Sequence, residues 1–289
     1  MTVGIIGLGI MGSAYGRNLL KAGVPVIGAD PAEAGRARLA EAGGVAHEGL
    51  GPWVAGCEVI ILSLAAPGVL AEVSAGLGRL LRPGQLVMET GTFALADKMA
   101  ARAAIEASGA TVLDCPVSGT GAQAARADLV FMASGPAWAI EQARRVMTHL
   151  GHTVIEAGEF GMGSRLKYAA NHAVALHNTA AAETLHYADA LGLDRQTVYR
   201  MLKNGAGQSR MSDLRMPLMI EGRYEPATAS MAMFEKDLAI IAADIDGHGI
   251  ETPIFDAVRA LYDRGFEMLP KTHDTAAVFE VYARGRGKG

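Results

Sequence analysis

A short apolar run, Val3–Ile6, passes directly into Gly7-Leu8-Gly9-Ile10-Met11-Gly12 and then into a helical pattern over residues 10–22. With 36 glycines among 289 residues, that spacing says little by itself. Its place between a buried type of strand and a helix says much more. The first glycine permits a tight turn, the second lets the backbone approach a pyrophosphate, and the third lets helix and strand pack closely. The free N–H groups at the start of the helix, the positive end of its dipole, would face the diphosphate. The segment predicts a parallel, helix-covered sheet with a dinucleotide site at its first turn.

The stretches that follow agree. Strand-type runs over residues 25–29, 59–64, 86–89, 111–114, 129–134 and 153–155 alternate with helical patterns over 32–42, 69–81, 95–107 and 138–150. That alternation is the mark of a parallel sheet with helices on its faces. From about residue 160 the strand signals stop. Residues 162–191 read as one long helix ended by Gly192, and Asp194 as the N-cap of a helix over 195–203. Further helices are expected over 212–220, 231–247 and 255–264. The expected fold is an α/β Rossmann-type dinucleotide-binding domain over 1–160 and an all-α domain over 161–289, joined by a long interdomain helix. The basic, glycine-rich residues 284–289 read as a frayed terminus.

Charge and cysteine usage narrow the partners. Lys plus Arg number 26 and Asp plus Glu 30, a formal net charge of −4. Such a chain lacks the basic field of a nucleic-acid binder and the polybasic segment that holds a protein to anionic membranes. Cys57 and Cys115 form neither a metal-type pair nor a disulfide framework, which points to a reducing cytoplasm. No metal is expected, because His172 and His177 stand at i, i+5 rather than the i, i+4 of a helical metal motif. Together with His186 they read as core or cleft-edge residues. Met201, Met211, Met216, Met219, Met231 and Met233 read as adaptable core packing. Arg210 and Arg215 read as a solvated helix face, the alternative being that either meets a substrate carboxylate.

Three places carry candidate chemistry. Asp30 ends the second strand at about the ~20-residue spacing at which a carboxylate meets an adenosine ribose. It would repel a 2′-phosphate, which favours NAD over NADP, although the nearby Arg36 and Arg38 leave NADP open; the plainer reading of Asp30 is a helix cap before Pro31. Asp114-Cys115-Pro116-Val117-Ser118-Gly119-Thr120-Gly121 could form an anion-binding nest, or serve only as a long loop between strands. Lys167 and Asn171, at i, i+4, share a face of an alanine-rich helix. The plainer reading of that lysine is a stem lying along apolar surface with its amine in water.

Taken together, Gly7–Gly12, Asp114–Gly119, the Gly-x-Gly-x-x-x-Lys-x-x-x-Asn of residues 161–171 and Phe234-Glu235-Lys236-Asp237-Leu238 resemble the β-hydroxyacid dehydrogenase family in order and spacing over nearly the whole chain. The resemblance implies a hydride transfer between NAD(P) and a small 3-hydroxy acid, in a cleft between two domains, with Lys167 as general acid/base. It implies that Ser118, Gly119, Thr120 and Asn171 hold a carboxylate-bearing substrate. It further implies a cofactor contacted by Gly7, Leu8, Gly9, Ile10, Met11, Gly12, Asp30, Leu64, Ala65, Thr92 and Lys236, and a homodimer or homotetramer. Thr120 departs from the second glycine usual in the family, Glu89-Thr90-Gly91-Thr92 from an Asp-Ser type of segment, and Leu64-Ala65-Ala66-Pro67 from a Leu-Pro pair. An imine reductase or an inactive dinucleotide-binding scaffold are the competing readings, and Lys167 argues against both.

Overall fold

The structure, a computed structural model, describes residues 1–285, with side chains through residue 282. Of the basic tail, residues 284 and 285 are helical, and residues 286–289 lie outside the described residues. The chain divides into two compact units, Met1–Lys167 and the part from Tyr168 onward.

The first unit is built on nine strands: β1 (Val3–Ile6), β2 (Val26–Ala29), β3 (Val45–His47), β4 (Val59–Leu62), β5 (Leu86–Glu89), β6 (Thr111–Asp114), β7 (Val117–Ser118), β8 (Leu129–Ser134) and β9 (Gly151–Gly158). Their order in the sheet is β3-β2-β1-β4-β5-β6-β8-β7, with β9 pairing β8. The strands from β3 to β6 run parallel, in register Val3↔Val26 and Val3↔Val59 around β1. β8 is antiparallel to β6 and β7, and β9 is parallel to β8. This is doubly wound topology, whose ligands bind where the strand order reverses, here beside the carboxyl ends of β1 and β4.

Helices α1 (Ile10–Lys21), α2 (Glu33–Glu41), α3 (Pro67–Leu80), α4 (Leu95–Glu106), α5 (Gly121–Ala125) and α6 (Ala137–Met147) belong to this unit. Side chains alternate across the sheet, so each central strand feeds two cores. Val59 and Ile61 of β4 join Ile5, Leu19 and Leu39 in one core, while Ile60 and Leu62 join Leu77 and Ile105 in the other. A strand buried on both faces must be apolar throughout. Each such side chain contributes about 1.5–3 kcal/mol by leaving water.

The structure adds elements that the sequence pattern does not announce. β3 has only three residues, none of them buried. A 3-10 turn covers Pro52–Gly56. The segment read as a loop or nest holds the two-residue β7 and the five-residue α5, separated by Gly119 at φ +141°. β9 extends well beyond the expected 153–155.

The second unit is helical. α7 (Met162–Ala190) begins in the first unit and continues into it, followed by α8 (Arg195–Asn204), α9 (Arg210–Glu221), α10 (Met231–His248), α11 (Pro253–Met268), a 3-10 turn at Thr275–Val278 and α12 (Phe279–Gly285). Asp194 caps α8 by accepting from the Thr197 N–H, as expected. Gly222 and Gly249, in the left-handed region, end α9 and α10. Leu185, Phe234, Leu238, Phe255 and Tyr262 centre its core.

Several side chains depart from their expected places. Met216, Met219 and Met231 are in the core, but Met201 and Met233 are exposed. Arg215 is buried rather than solvated: it donates to Asp274 Oδ2 at 2.8 Å and to Thr228 Oγ1 at 2.5 Å. The reason is Asp274, a buried carboxylate that requires a counter-charge. His172 stacks on Phe255 and His186 on Tyr282, whereas His177 is exposed. Among the described residues no helix is long and apolar enough to cross a membrane.

Candidate active site

The turn after β1 has the conformation its glycines foretell. Gly7 lies at φ +92°, and a Cβ there would stand 2.2 Å from the Ser63 carbonyl oxygen. A Cβ on Gly12 would stand 1.9 Å from the Gly7 carbonyl oxygen, so only glycine lets α1 approach β1 this closely. A Cβ on Gly9 meets no atom within 4 Å. No side chain caps α1 at Gly9, and its first turn holds no acidic residue. Bare N–H groups, a positive dipole end and open space at Gly9 fit the diphosphate of a dinucleotide.

Asp30 follows β2 and reaches back to this turn. Its Oδ2 accepts the Leu8 N–H at 2.6 Å, and its Oδ1 accepts the Ala32 N–H at 2.7 Å. It therefore joins turn and strand, and also closes the turn into α2, whose N-cap residue is Ala32. Arg36 donates to the carbonyl oxygens of Asp30 and Pro31. Arg38 donates to Ser13 Oγ and to the Leu8 carbonyl oxygen. Arg38 thus braces the glycine turn, and Arg36 the turn from β2 into α2.

The remaining residues expected in this unit follow the same strand ends. Leu64 and Ala65 follow β4, Thr92 follows β5, and Ser118 ends β7. The segment around β7 sits against the glycine turn and α1: a Cβ on Gly121 would stand 2.4 Å from Ile10 Cγ2, and Asn18 Nδ2 of α1 donates to the Ala124 carbonyl oxygen at 2.7 Å. Thr120 is engaged in a capping box with Gln123, so its hydroxyl holds the start of α5.

Lys167, half-buried, lies one turn into α7. That first turn is tied to the sheet. The Ser164 N–H donates to Asp114 Oδ2 at 2.8 Å, its hydroxyl to Asp114 Oδ1 at 2.9 Å, and the Gly163 N–H to Ser134 Oγ at 2.9 Å. Asn171 and Lys236 lie in the second unit and meet through a residue that sequence reasoning left out. Asp237 Oδ2 accepts from Asn171 Nδ2 at 2.9 Å, and its Oδ1 is 2.8 Å from Lys236 Nζ in an ion pair. An acidic residue next to a basic one on a helix is commonplace, so adjacency alone could not single it out.

Fold and turn define a dinucleotide-binding protein of the Rossmann type extended by a helical unit. Residues 2–158 match the family model described as the NAD binding domain of 6-phosphogluconate dehydrogenase, and residues 161–282 that described as NAD-binding of NADP-dependent 3-hydroxyisobutyrate dehydrogenase. L-threonate dehydrogenase of Cupriavidus necator is 29% identical over 97% of this chain and 95% of its own length. A probable 3-hydroxyisobutyrate dehydrogenase of Mycobacterium bovis is 28% identical over 90% of this chain and 91% of its own. The crystal structure of 3-hydroxyisobutyrate dehydrogenase from Salmonella typhimurium superposes with a TM-score of 0.88 at 27% identity, covering 97% of this chain and 99% of that one. An imine reductase of Bacillus cereus, at 18% identity and a TM-score of 0.63, shares the fold alone. The chain belongs to the β-hydroxyacid dehydrogenase family and is an NAD(P)-dependent oxidoreductase.

Proposed function

We propose that this protein interconverts a small 3-hydroxy acid and its semialdehyde or keto form, with NAD preferred over NADP and Lys167 as general acid/base. The relatives named for L-threonate and 3-hydroxyisobutyrate support the substrate class. The observation that carries the reading is Lys167 itself, half-buried one turn into α7 and at i, i+4 to Asn171. The bound nicotinamide supplies the hydride acceptor in oxidation and the donor in reduction. Lys167 takes the hydroxyl proton when the alcohol is oxidised and returns it when the carbonyl is reduced. Positioned proton transfer of this kind is worth about 10²–10⁴ in rate. A lysine amine with an ordinary pKa near ~10.4 is mostly protonated at neutral pH, so service as a base requires burial or a neighbouring cation to lower it.

In this reading Ser118, Gly119, Thr120 and Asn171 hold the substrate carboxylate. Gly7, Leu8, Gly9, Ile10, Met11 and Gly12 hold the diphosphate, Leu64, Ala65 and Thr92 flank the cofactor, and Lys236 serves its nicotinamide side. NAD preference rests on the Asp30 carboxylate that follows β2, which would repel a 2′-phosphate; Arg36 and Arg38, which donate to carbonyl and hydroxyl oxygens here, keep donors for one. Residues 1–160 form the cofactor domain and 161–289 the substrate and self-association domain of a cytoplasmic homodimer or homotetramer.

A spectrophotometric screen of 3-hydroxyisobutyrate, glycerate, threonate and 3-hydroxypropionate, with NAD and NADP in parallel, tests the reading. Turnover of at least one acid is expected, with NAD the better cofactor. Lys167→Ala should lose turnover by about 10²–10⁴ while still binding NADH. Near-normal turnover in that variant removes Lys167 from the mechanism.

A further inference from the structure

The first turn of α7 rests on a buried ion cluster that the proposed chemistry does not use. Asp114 at the end of β6, Lys98 of α4 and Glu89 at the end of β5 are 0%, 1% and 2% exposed. Lys98 Nζ lies 2.6 Å from Asp114 Oδ1 and 2.6 Å from Glu89 Oε2. The approach to Asp114 is a hydrogen bond, and the approach to Glu89 has the distance of an ion pair without a well-directed hydrogen bond. Burial opposes the Lys98 charge, yet the two carboxylates outweigh it and hold the ammonium above its usual range. Burial pushes the Glu89 carboxyl up, against the pull of Lys98.

Asp114 is the member that faces α7. Besides Lys98 it accepts the Ser164 N–H and hydroxyl, and the Ser134 hydroxyl at 3.1 Å from Oδ2. Ser134 in turn takes the Gly163 N–H. Two first-turn N–H groups of α7 are thus satisfied by buried side chains of β6 and β8, with a carboxylate at the positive end of the helix dipole. Nothing spaces helix from sheet: a Cβ on Gly163 would stand 2.3 Å from the Met132 carbonyl oxygen and 2.8 Å from that of Asp114. Lys167 follows Ser164 by three residues, about 4.5 Å along the axis at the helical rise of ~1.5 Å per residue.

We propose that Asp114, paired with Lys98 at 2.6 Å, is a positioning residue that fixes the register of α7 against β6 and β8 and so the place of the Lys167 amine. This rests on the proton-transfer role proposed above for Lys167. A buried ion cluster is poor evidence for stability, since apolar side chains of similar volume often serve as well. What it supplies is direction. The bonds that Asp114 makes to Ser164 hold at one helix register only, and a shift of ~1 Å at a reacting group can cost about 100-fold in rate.

The test uses Asp114→Asn, Ser164→Ala and their combination in the full chain, beside Lys167→Ala. Assays use the hydroxy acid turned over best in the screen, NADH titration by fluorescence, and hydrogen exchange of amides 163–167. Asp114→Asn should lower kcat about 10- to 100-fold, in keeping with a displaced reacting group. KM for the acid and Kd for NADH should stay within about twofold, and amides 163–167 should exchange faster than in the unsubstituted protein while those of β1 and β4 do not. Ser164→Ala, which removes one hydroxyl, should lower kcat less, and the double variant should fall short of the product of the singles. Unchanged kcat in both single variants, or unchanged exchange at 163–167, overturns the proposal. So does a kcat loss matched by an equal loss of NADH affinity, which marks general damage. Lys167→Ala decides the underlying role alone: retained turnover there sinks the base, while the exchange data still read the anchor.

Discussion

Asn171 and Asp237, 66 positions apart in the chain, are joined by a 2.9 Å hydrogen bond from Nδ2 to Oδ2, and both side chains are buried. The bond decides which way the Asn171 amide faces, because a carboxylate can only accept while it is ionised. The other carboxylate oxygen is 2.8 Å from Lys236 Nζ, so one acidic residue organises two of the residues proposed to meet substrate and cofactor.

Replacing Asp237 with Ala should therefore act on turnover through Asn171 and, through Lys236, on cofactor capture as well. A hydrogen bond to a charged group is worth about 1.5–3 kcal/mol, and each ~1.4 kcal/mol is a factor of ten. The expected fall in kcat/KM for the hydroxy acid is roughly 10- to 100-fold, with a smaller loss of NADH affinity through Lys236. Asn171→Ala should cost about as much, and the double variant little more than either single. Full additivity in that cycle would show that the two side chains act separately.

Much of this fold is legible in the sequence because its central strands are buried on both faces. Runs such as Val59–Leu62 need no partner to be recognised, and Gly7 and Gly12 declare their turn by steric necessity. β3, β7 and α5 are too short to carry a period. Arg215 looked like a surface residue because its partner, Asp274, is 59 positions away and no local signal marks it as buried. The Lys98–Asp114–Ser164 chain is hidden for the same reason, its links spanning 16 and 50 residues. Local patterns yield elements; pairings that depend on the folded topology do not appear in them.

Two glycines of the cofactor turn should respond to the same substitution in opposite ways. Gly12→Ala places a methyl 1.9 Å from the Gly7 carbonyl oxygen, a backbone atom that cannot swing aside. It should force α1 off β1 and lower the melting temperature, by several degrees for the ~1–3 kcal/mol typical of overpacking. Gly9→Ala meets no protein atom within 4 Å and should leave melting unchanged. It should weaken NADH binding all the same, because the methyl enters the space where the diphosphate belongs. Thermal scans with and without NADH separate the two effects. Equal melting losses in both variants would contradict this account of the turn.

Asn18 links α1 to the segment that carries Ser118 and Gly119. Its Nδ2 donates to the Ala124 carbonyl oxygen, and Gly121 packs on Ile10 at the other end of α1. Loss of this bond in Asn18→Ala should cost about 1 kcal/mol of local stability. Because α5 seats the segment proposed to hold the substrate carboxylate, KM for the acid should rise several-fold. NADH affinity should hold, since Asn18 lies in the last turns of α1, away from Gly9. Steady-state kinetics beside NADH titration decide the point, and an effect confined to NADH would reverse the assignment.

Alkaline pH should unfold both units. Burial raises the phenols of Tyr15 in the first unit and Tyr262 in the second well above the usual range, and paired carboxylates raise Lys98 despite its burial. For each group the folded-state value lies above the unfolded one. Each contribution is then complete below the unfolded pKa, near ~10 for Tyr and ~10.4 for Lys, and is lost as pH rises toward the folded value. None of the three gives a slope at neutral pH, and all three pull the same way above about pH 10. Denaturant-derived stability should thus fall steeply there, with tyrosinate absorbance rising in step with the loss of helical circular dichroism. If all 7 tyrosines ionised near their ordinary value while the helical signal persisted, the buried phenols would be in contact with water and this account of both cores would be wrong.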